Sequence, residues 1–285
     1  MAAVRAIKVA LLAALALFAG WFLLKEAIEP HWSVRLTALV NPGPPPLTAD
    51  LGDGLALRLY PDARPHIGKI ARIQKGLVLT LDGEELIEEG YGFGAPIVIH
   101  GGRSYLSQRA EVEQLPDGGL VKRFEIDTED TWTQLFRRKY RAVEPLGSVV
   151  FTYTVSAPGV IDVTADFTGL DVTPELVYLT NEQGATTFTH VSESGGAPRE
   201  LIDAPDTPDQ WIPSDAGEIC QESPARGIRF CVETPPGQPK YIGRERYFQR
   251  RWSGLFWLSW AGADIELSEP AGVYRYRVRV EPSKP

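Results

Sequence analysis

The chain is short of the residues on which recognisable chemistry is built. It holds two cysteines, four histidines, one methionine and two asparagines in 285 residues. His31, His66, His100 and His190 lie too far apart to spell a metal motif. No His-Glu-x-x-His pair sets two imidazoles on one helical turn, and no Gly-x-Ser-x-Gly elbow raises a nucleophilic serine. Neither Asn41 nor Asn181 opens a glycosylation acceptor triplet. Two cysteines cannot close a zinc site that needs four ligands, so no metal and no cofactor is expected. A catalytic pair such as His100 and His190 with a carboxylate would have to assemble in three dimensions.

Regular helix is also scarce. After Val40 no stretch carries the 3.6-residue apolar period of a long amphipathic helix, and no repeat at propeller or solenoid spacing is present. What remains is alternation. Val149, Phe151, Tyr153 and Val155 interleave with Val150, Thr152, Thr154 and Ser156, and Ile161, Val163, Ala165 and Phe167 face away from Asp162, Thr164 and Asp166. Pro158-Gly159 joins these two strands. Near the end, Tyr274, Tyr276, Val278 and Val280 form one face and Arg275, Arg277 and Arg279 the other. Further strands are expected over 56–60, 76–81, 97–100, 110–114, 120–126, 133–141, 176–180, 218–221 and 228–233, punctuated by turns at Leu81-Asp82-Gly83 and Pro116-Asp117-Gly118-Gly119. The pattern predicts an all-β fold, a large antiparallel β-sandwich.

One long apolar run stands apart. Val9 to Leu24 is sixteen apolar positions, preceded by Arg5 and Lys8 and closed by Lys25. A span needs about 20 residues, which residues 6–25 supply if the flanking lysines extend toward the headgroups. The small-residue pattern of a cleavage site is poor around Ala19, so the run reads as an uncleaved signal-anchor, with a cleaved signal peptide and a buried helix as alternatives. The basic residues before it place residues 1–5 in the cytoplasm and the rest outside it. Residues 26–46 form a juxtamembrane segment, with Trp32 at the interface and a spacer stiffened by Pro42, Pro44, Pro45 and Pro46. The sandwich occupies residues 47–285. The lipid bilayer is then the first expected partner.

Charge agrees with an exported domain and excludes nucleic acid. Setting aside the three basic residues of the first 25 leaves 26 Lys and Arg against 37 Asp and Glu, a net charge of −11 for the remainder. Cys220 and Cys231 sit symmetrically about Pro224-Ala225-Arg226-Gly227, so a hairpin there sets them opposite each other and predicts a disulfide in an oxidising compartment.

Three segments invite a functional reading. Residues 241–260 interleave arginines with aromatics, and Arg244, Arg246, Tyr247, Trp252 and Trp257 are the candidate ligand contacts, since aromatic faces stack on sugars and guanidinium forks hold carboxylates. The alternative for this segment is core packing. Residues 201–215 carry Asp203, Asp206, Asp209 and Asp215 but lack the EF-hand register, so they read as a solvated loop. Gly90 to Pro96 leads into a strand, not a helix N-terminus, which excludes a phosphate loop and favours a bulge or a tight crossing, with Tyr91 and Phe93 plugging the sandwich. Arg275, Arg277 and Arg279 need opposing acids, and Glu125, Asp127 and Glu129 share their two-residue spacing.

Between about Gly76 and Thr189, the glycine-punctuated opening followed by strands over 148–156 and 160–168 resembles the galactose mutarotase-like super-sandwich. In that family a histidine and a glutamate do acid-base work at a sugar's anomeric centre. No histidine of this chain is matched to that motif residue by residue, so catalysis is not carried over, and the resemblance implies only a carbohydrate-facing sandwich. Three functions follow: an anchored extracytoplasmic sandwich that binds a ligand or partner, with cell-envelope carbohydrate foremost; a sugar epimerase-like or glycan-lytic enzyme; or an assembly protein that offers a sheet edge to another envelope protein. The sequence declares no reaction.

Overall fold

The computed structural model describes residues 11–20, 43–65, 72–87, 91–132, 138–185, 187–201, 210–247 and 258–282. Among them the chain is almost wholly β. Its largest sheet has nine strands in the order Arg199–Glu200, His190–Glu193, Glu218–Ser223, Ile228–Glu233, Val273–Pro282, Val160–Asp166, Ser148–Ala157, Leu120–Glu125 and Arg109–Gln114. The second has eight, in the order Arg138–Ala142, Thr128–Trp132, Arg103–Leu106, Phe93–His100, Leu176–Gln183, Leu258–Ser268, Lys240–Tyr247 and Gln210–Ser214. A four-stranded sheet (Leu47–Gly52, Leu55–Leu59, Val78–Leu81, Glu84–Glu85) precedes them. Every pairing between these strands is antiparallel.

The alternation read from the sequence sets the faces. Val149, Phe151, Tyr153, Ile161, Val163, Ala165, Tyr276, Val278 and Val280 are buried, while Arg275 and Arg277 are exposed. The second sheet answers with Val98, Val177, Leu179, Ile242, Ala263 and Ile265. Phe93 of one sheet meets Phe230 of the other edge-on, centroids 5.2 Å apart. Aromatic pairs of this kind add roughly 0.5–1.5 kcal/mol beyond the area they bury.

The glycine-rich passage is a bulge, as its composition implies. The strand Leu176–Gln183 slips register against Phe93–His100 between Thr180 and Asn181. Gly94, with φ +71°, absorbs the extra residue, and a Cβ there would sit 2.4 Å from the Tyr153 ring. The Tyr153 hydroxyl donates to the Gly94 carbonyl, so the two sheets are joined at this glycine. Tyr91 and Phe93 are both buried in the core.

The hairpin expectation for the cysteines holds. Cys220 lies directly opposite Cys231 and the two form a disulfide.

Two expectations need correction. A single strand over 133–141 is replaced by two antiparallel strands, Thr128–Trp132 and Arg138–Ala142, in which Glu129 opposes Arg141. The arginine face of the last strand is not neutralised by Glu125, Asp127 and Glu129. Its in-sheet neighbours are Val160–Asp166 and Ile228–Glu233, so Arg277 pairs with Asp162 at 2.7 Å and Arg279 with Glu218, Glu233 and Glu281. Glu125 and Asp127 serve Arg109 instead.

Residues 11–20 are helical, with Leu11, Leu12, Leu15, Leu17 and Phe18 between 65% and 75% exposed. No helix among the described residues is long and apolar enough to cross a membrane. Residues 6–10 and 21–25 of the expected span lie outside the described residues, as does nearly all of the juxtamembrane segment.

Candidate functional site

The interior face of the eight-stranded sheet is largely apolar; its other face is not. Tyr178 alternates with the buried Val177 and Leu179, and Glu266 with Ile265 and Leu267, so both project away from the core and stand directly opposite each other. On the next strand Tyr241 lies opposite Asp264, one strand step from Glu266. The two tyrosine rings meet edge-on, centroids 6.2 Å apart. Both hydroxyls turn to the Glu266 carboxylate. Partial burial, then the charge of Glu266, pushes the Tyr178 phenol up to about 12, and Glu266 chiefly raises that of Tyr241. Tyr178, Tyr241 and Glu266 are all half-buried. The result is a small aromatic surface with an anionic acceptor set into it, suited to a ligand that offers apolar C–H faces ringed by hydroxyl donors.

Behind this surface the sheet is irregular. Between Leu179↔Ile265 and Glu182↔Gly262 the ladder is interrupted, and side chains take its place. The Asn181 backbone N–H donates to Asp264 Oδ1 at 3.0 Å, and the Asn181 amide donates to the carbonyls of Leu179 and Ala263 at 3.0 and 3.2 Å. Gln221 reaches across from the nine-stranded sheet to the Asn181 carbonyl at 3.0 Å. Asp264 is buried, and burial pushes its carboxyl up to about 7 against the Asn181 N–H, which favours the anion. This group supports the site and does not face a ligand.

A concavity of about 470 Å³ opens near the Arg138–Ala142 edge of the same sheet, lined by Arg103, Glu129, Thr131, Tyr140 and Arg141. Glu129 is nearly closed to solvent, its side chain 8% exposed, while Arg103 and Arg141, which pair with it, are 58% and 59% exposed.

The residues singled out from the sequence fare unevenly. Arg244, Arg246 and Tyr247 lie on the strand Lys240–Tyr247, opposite Ala261, Ser259 and Leu258, the same strand that carries Tyr241. Trp252 and Trp257 lie outside the described residues, as do 202–209 of the acidic loop. His100 and His190 fall on different sheets, the first against the Thr173 carbonyl at 3.2 Å, the second against the Thr189 hydroxyl at 2.9 Å. Among the described residues, the grouping of acid and thiol ligands close enough to hold a metal, Glu218 with Cys220 and Cys231, has its sulfurs tied in the disulfide. Tyr178 and Glu266 were missed individually, although the alternation of Val177, Tyr178 and Leu179 places the tyrosine on the outer face.

No protein-family model matches the chain, and no curated protein matches it. Several solved structures are similar in shape. A 4-alpha-glucanotransferase from Thermococcus litoralis aligns over 81% of this chain and 36% of its own, with 8% identity and a TM-score of 0.42. Heparan sulfate lyase HepC from Pedobacter heparinus aligns over 95% of this chain and 42% of its own, at 9% identity and a TM-score of 0.38. The structure of HI1317 aligns over 82% of this chain and 99% of its own, at 8% identity and a TM-score of 0.37. The chain thus spans about two fifths or less of the length of the first and second of these.

Proposed function

We propose that this chain is a membrane-tethered, extracytoplasmic β-sandwich that binds carbohydrate on the outer face of its eight-stranded sheet. The observation that carries this reading is the convergence of Tyr178 and Tyr241 on Glu266. A pyranose ring stacks its axial C–H face on a tyrosine while its hydroxyls donate to a carboxylate, and this face provides both partners at adjacent strand positions. Arg244, Arg246 and Tyr247 follow Tyr241 on the same strand, and Trp252 and Trp257 follow in sequence. The large paired antiparallel sheets support an arrangement of the galactose mutarotase-like kind.

The tether is residues 6–25. The exposed leucines and phenylalanine of the helix at 11–20 support it, because an apolar helix with its side chains open to solvent is stable only against lipid or another apolar surface. The disulfide supports an oxidising compartment. Binding is the reading we favour: among the described residues of this face the carboxyl with a perturbed titration, Asp264, is buried and accepts from the Asn181 N–H.

A glycan array probed with the full chain in detergent, followed by titration of the hits against Tyr178→Ala and Tyr241→Ala, tests the reading. Each substitution is expected to weaken binding at least tenfold. Retained affinity in both variants, or silence across the array, overturns it and leaves the assembly role.

A further inference from the structure

In sequence, four of the five residues Arg137, Arg138, Lys139, Tyr140 and Arg141 are cationic, and the strand Arg138–Ala142, which ends with Arg141 and Ala142, is the outermost of its sheet. Two strands inward lies Arg103. Between Arg103 and Arg141 the nearly buried Glu129 uses one oxygen for each: Oε1 faces Arg103 Nη1 at 3.4 Å, and Oε2 takes Arg141 Nη2. Each guanidinium has five N–H donors in a fixed fork and spends one nitrogen on this contact. The remaining donors sit on side chains that are more than half exposed, at the rim of the 470 Å³ depression. An incoming anion therefore meets donors from two sides, while the carboxylate that would repel it has both oxygens turned to the arginines.

We propose that this depression binds the carboxylate of an acidic saccharide, a uronic acid unit, with Glu129 as a built-in counterion that orients Arg103 and Arg141 and competes with the ligand for them. The anion specificity stands on the arginines alone; the choice of a saccharide rests on the carbohydrate reading of the tyrosine face. Glu129 sets the strength of the site. It holds two flexible side chains ready for an anion, which lowers the ordering cost of binding, and it offsets one of their two positive charges in the empty site, which limits affinity for any small anion that passes.

The test uses the full chain in detergent, with Tyr178→Ala and Tyr241→Ala introduced together so that the tyrosine face is silent. Calorimetric titration compares glucuronate, glucose and acetate. Glucuronate is expected to bind at least tenfold tighter than glucose or acetate and to weaken as salt rises from 50 to 500 mM. Arg103→Ala and Arg141→Ala, both changes at exposed side chains, should each cost about tenfold, the loss of one charge-assisted contact. Glu129→Gln should tighten glucuronate several-fold by removing the competitor. Glucuronate binding that ignores both arginine variants, or that weakens in Glu129→Gln while the arginine variants fold and bind normally, overturns the proposal. Acetate equal to glucuronate overturns its saccharide half. Because the tyrosines are absent from this background, these results are independent of whether neutral sugars bind the tyrosine face in the unmodified chain.

Discussion

Lys122 offers the sharpest test of how this fold is held together. Leu120, Lys122 and Phe124 share the inward face of one strand, and the lysine is fully buried with them. Its Nζ donates to the carbonyls of Tyr60 at 2.8 Å and Lys75 at 2.7 Å, and lies 5.1 Å from the Phe124 ring centroid. Tyr60 follows the strand Leu55–Leu59 and Lys75 precedes Val78–Leu81, so this ammonium fastens the four-stranded sheet to the nine-stranded one. Burial pulls its titration down to about 7, with the charge of Asp62 opposing.

The sign follows from the two states. Unfolded, the amine titrates near 10.4; folded, near 7. Between those values the unfolded chain holds a proton that the folded one has lost, so stability rises with pH. Below pH 7 both states are protonated and the folded state bears the full cost of burying the charge. From pH 6 to pH 9 this one group should add about 2.5 kcal/mol, an upper figure because the two carbonyls favour the charged form. Lys122→Met abolishes that gain and leaves the two carbonyls one donor poorer, a cost of about 1–3 kcal/mol. Urea unfolding of both proteins at half-unit steps from pH 6 to 9 should show the destabilisation by Lys122→Met growing by about 2.5 kcal/mol across the range. Other titrating groups occur in both proteins and cancel in the difference. A mutational effect that stays flat with pH refutes the argument.

Other tests follow the same logic. Asp264 is raised to about 7, so it favours the fold below its unfolded value near 3.8 and that contribution is lost as pH rises through 7; Asp264→Asn, which keeps an acceptor for the Asn181 N–H, should flatten the fall in urea stability between pH 5 and 8. Replacing both Cys220 and Cys231 by serine should cost about 3 kcal/mol in guanidinium unfolding, since the bond closes a loop with a sequence separation of 11. Gly94→Ala combines a positive φ with a Cβ 2.4 Å from Tyr153 and should cost about 2–4 kcal/mol by the same measurement, whereas alanine at Gly118, which has a positive φ but open space around it, should cost only about 1 kcal/mol.

Much of the fold is visible in the sequence because a half-buried strand writes its burial as alternation. The strands at 148–157, 160–166 and 273–282 are of this kind, and the cysteine hairpin is fixed by symmetry about a turn. Partners across the sheet are another matter. Arg277 meets Asp162, 115 residues away, because Val160–Asp166 inserts between the last strand and its earlier neighbours. Spacing alone offered Glu125, Asp127 and Glu129 an equal claim, and only strand order decides among sets of acids with the same period. The burial of Lys122 was in principle legible, since it shares parity with Leu120 and Phe124. A charge on a core face is easily read as an edge residue, and its carbonyl partners lie 62 and 47 residues away.

The candidate site was hidden for a related reason. Thr180, Asn181, Glu182 and Gln183 read as the polar end of a strand, yet all four are buried and the strand runs through them. Their polarity is tolerable because the ladder is broken there and its backbone groups are met by side chains: Asp264 for the Asn181 N–H, and the Asn181 amide for the Leu179 and Ala263 carbonyls. Such contacts are possible in one register only. A slip of the strand Leu176–Gln183 by one residue would bury Tyr178, turn Val177 and Leu179 outward, and strip Asp264 and Asn181 of their partners in the low-dielectric interior. The polar break thus specifies the pairing that sets Tyr178 opposite Glu266 and Tyr241 opposite Asp264. The buried amide and carboxyl do not bind the ligand, but they fix the tyrosine–carboxylate surface on which the proposed recognition depends.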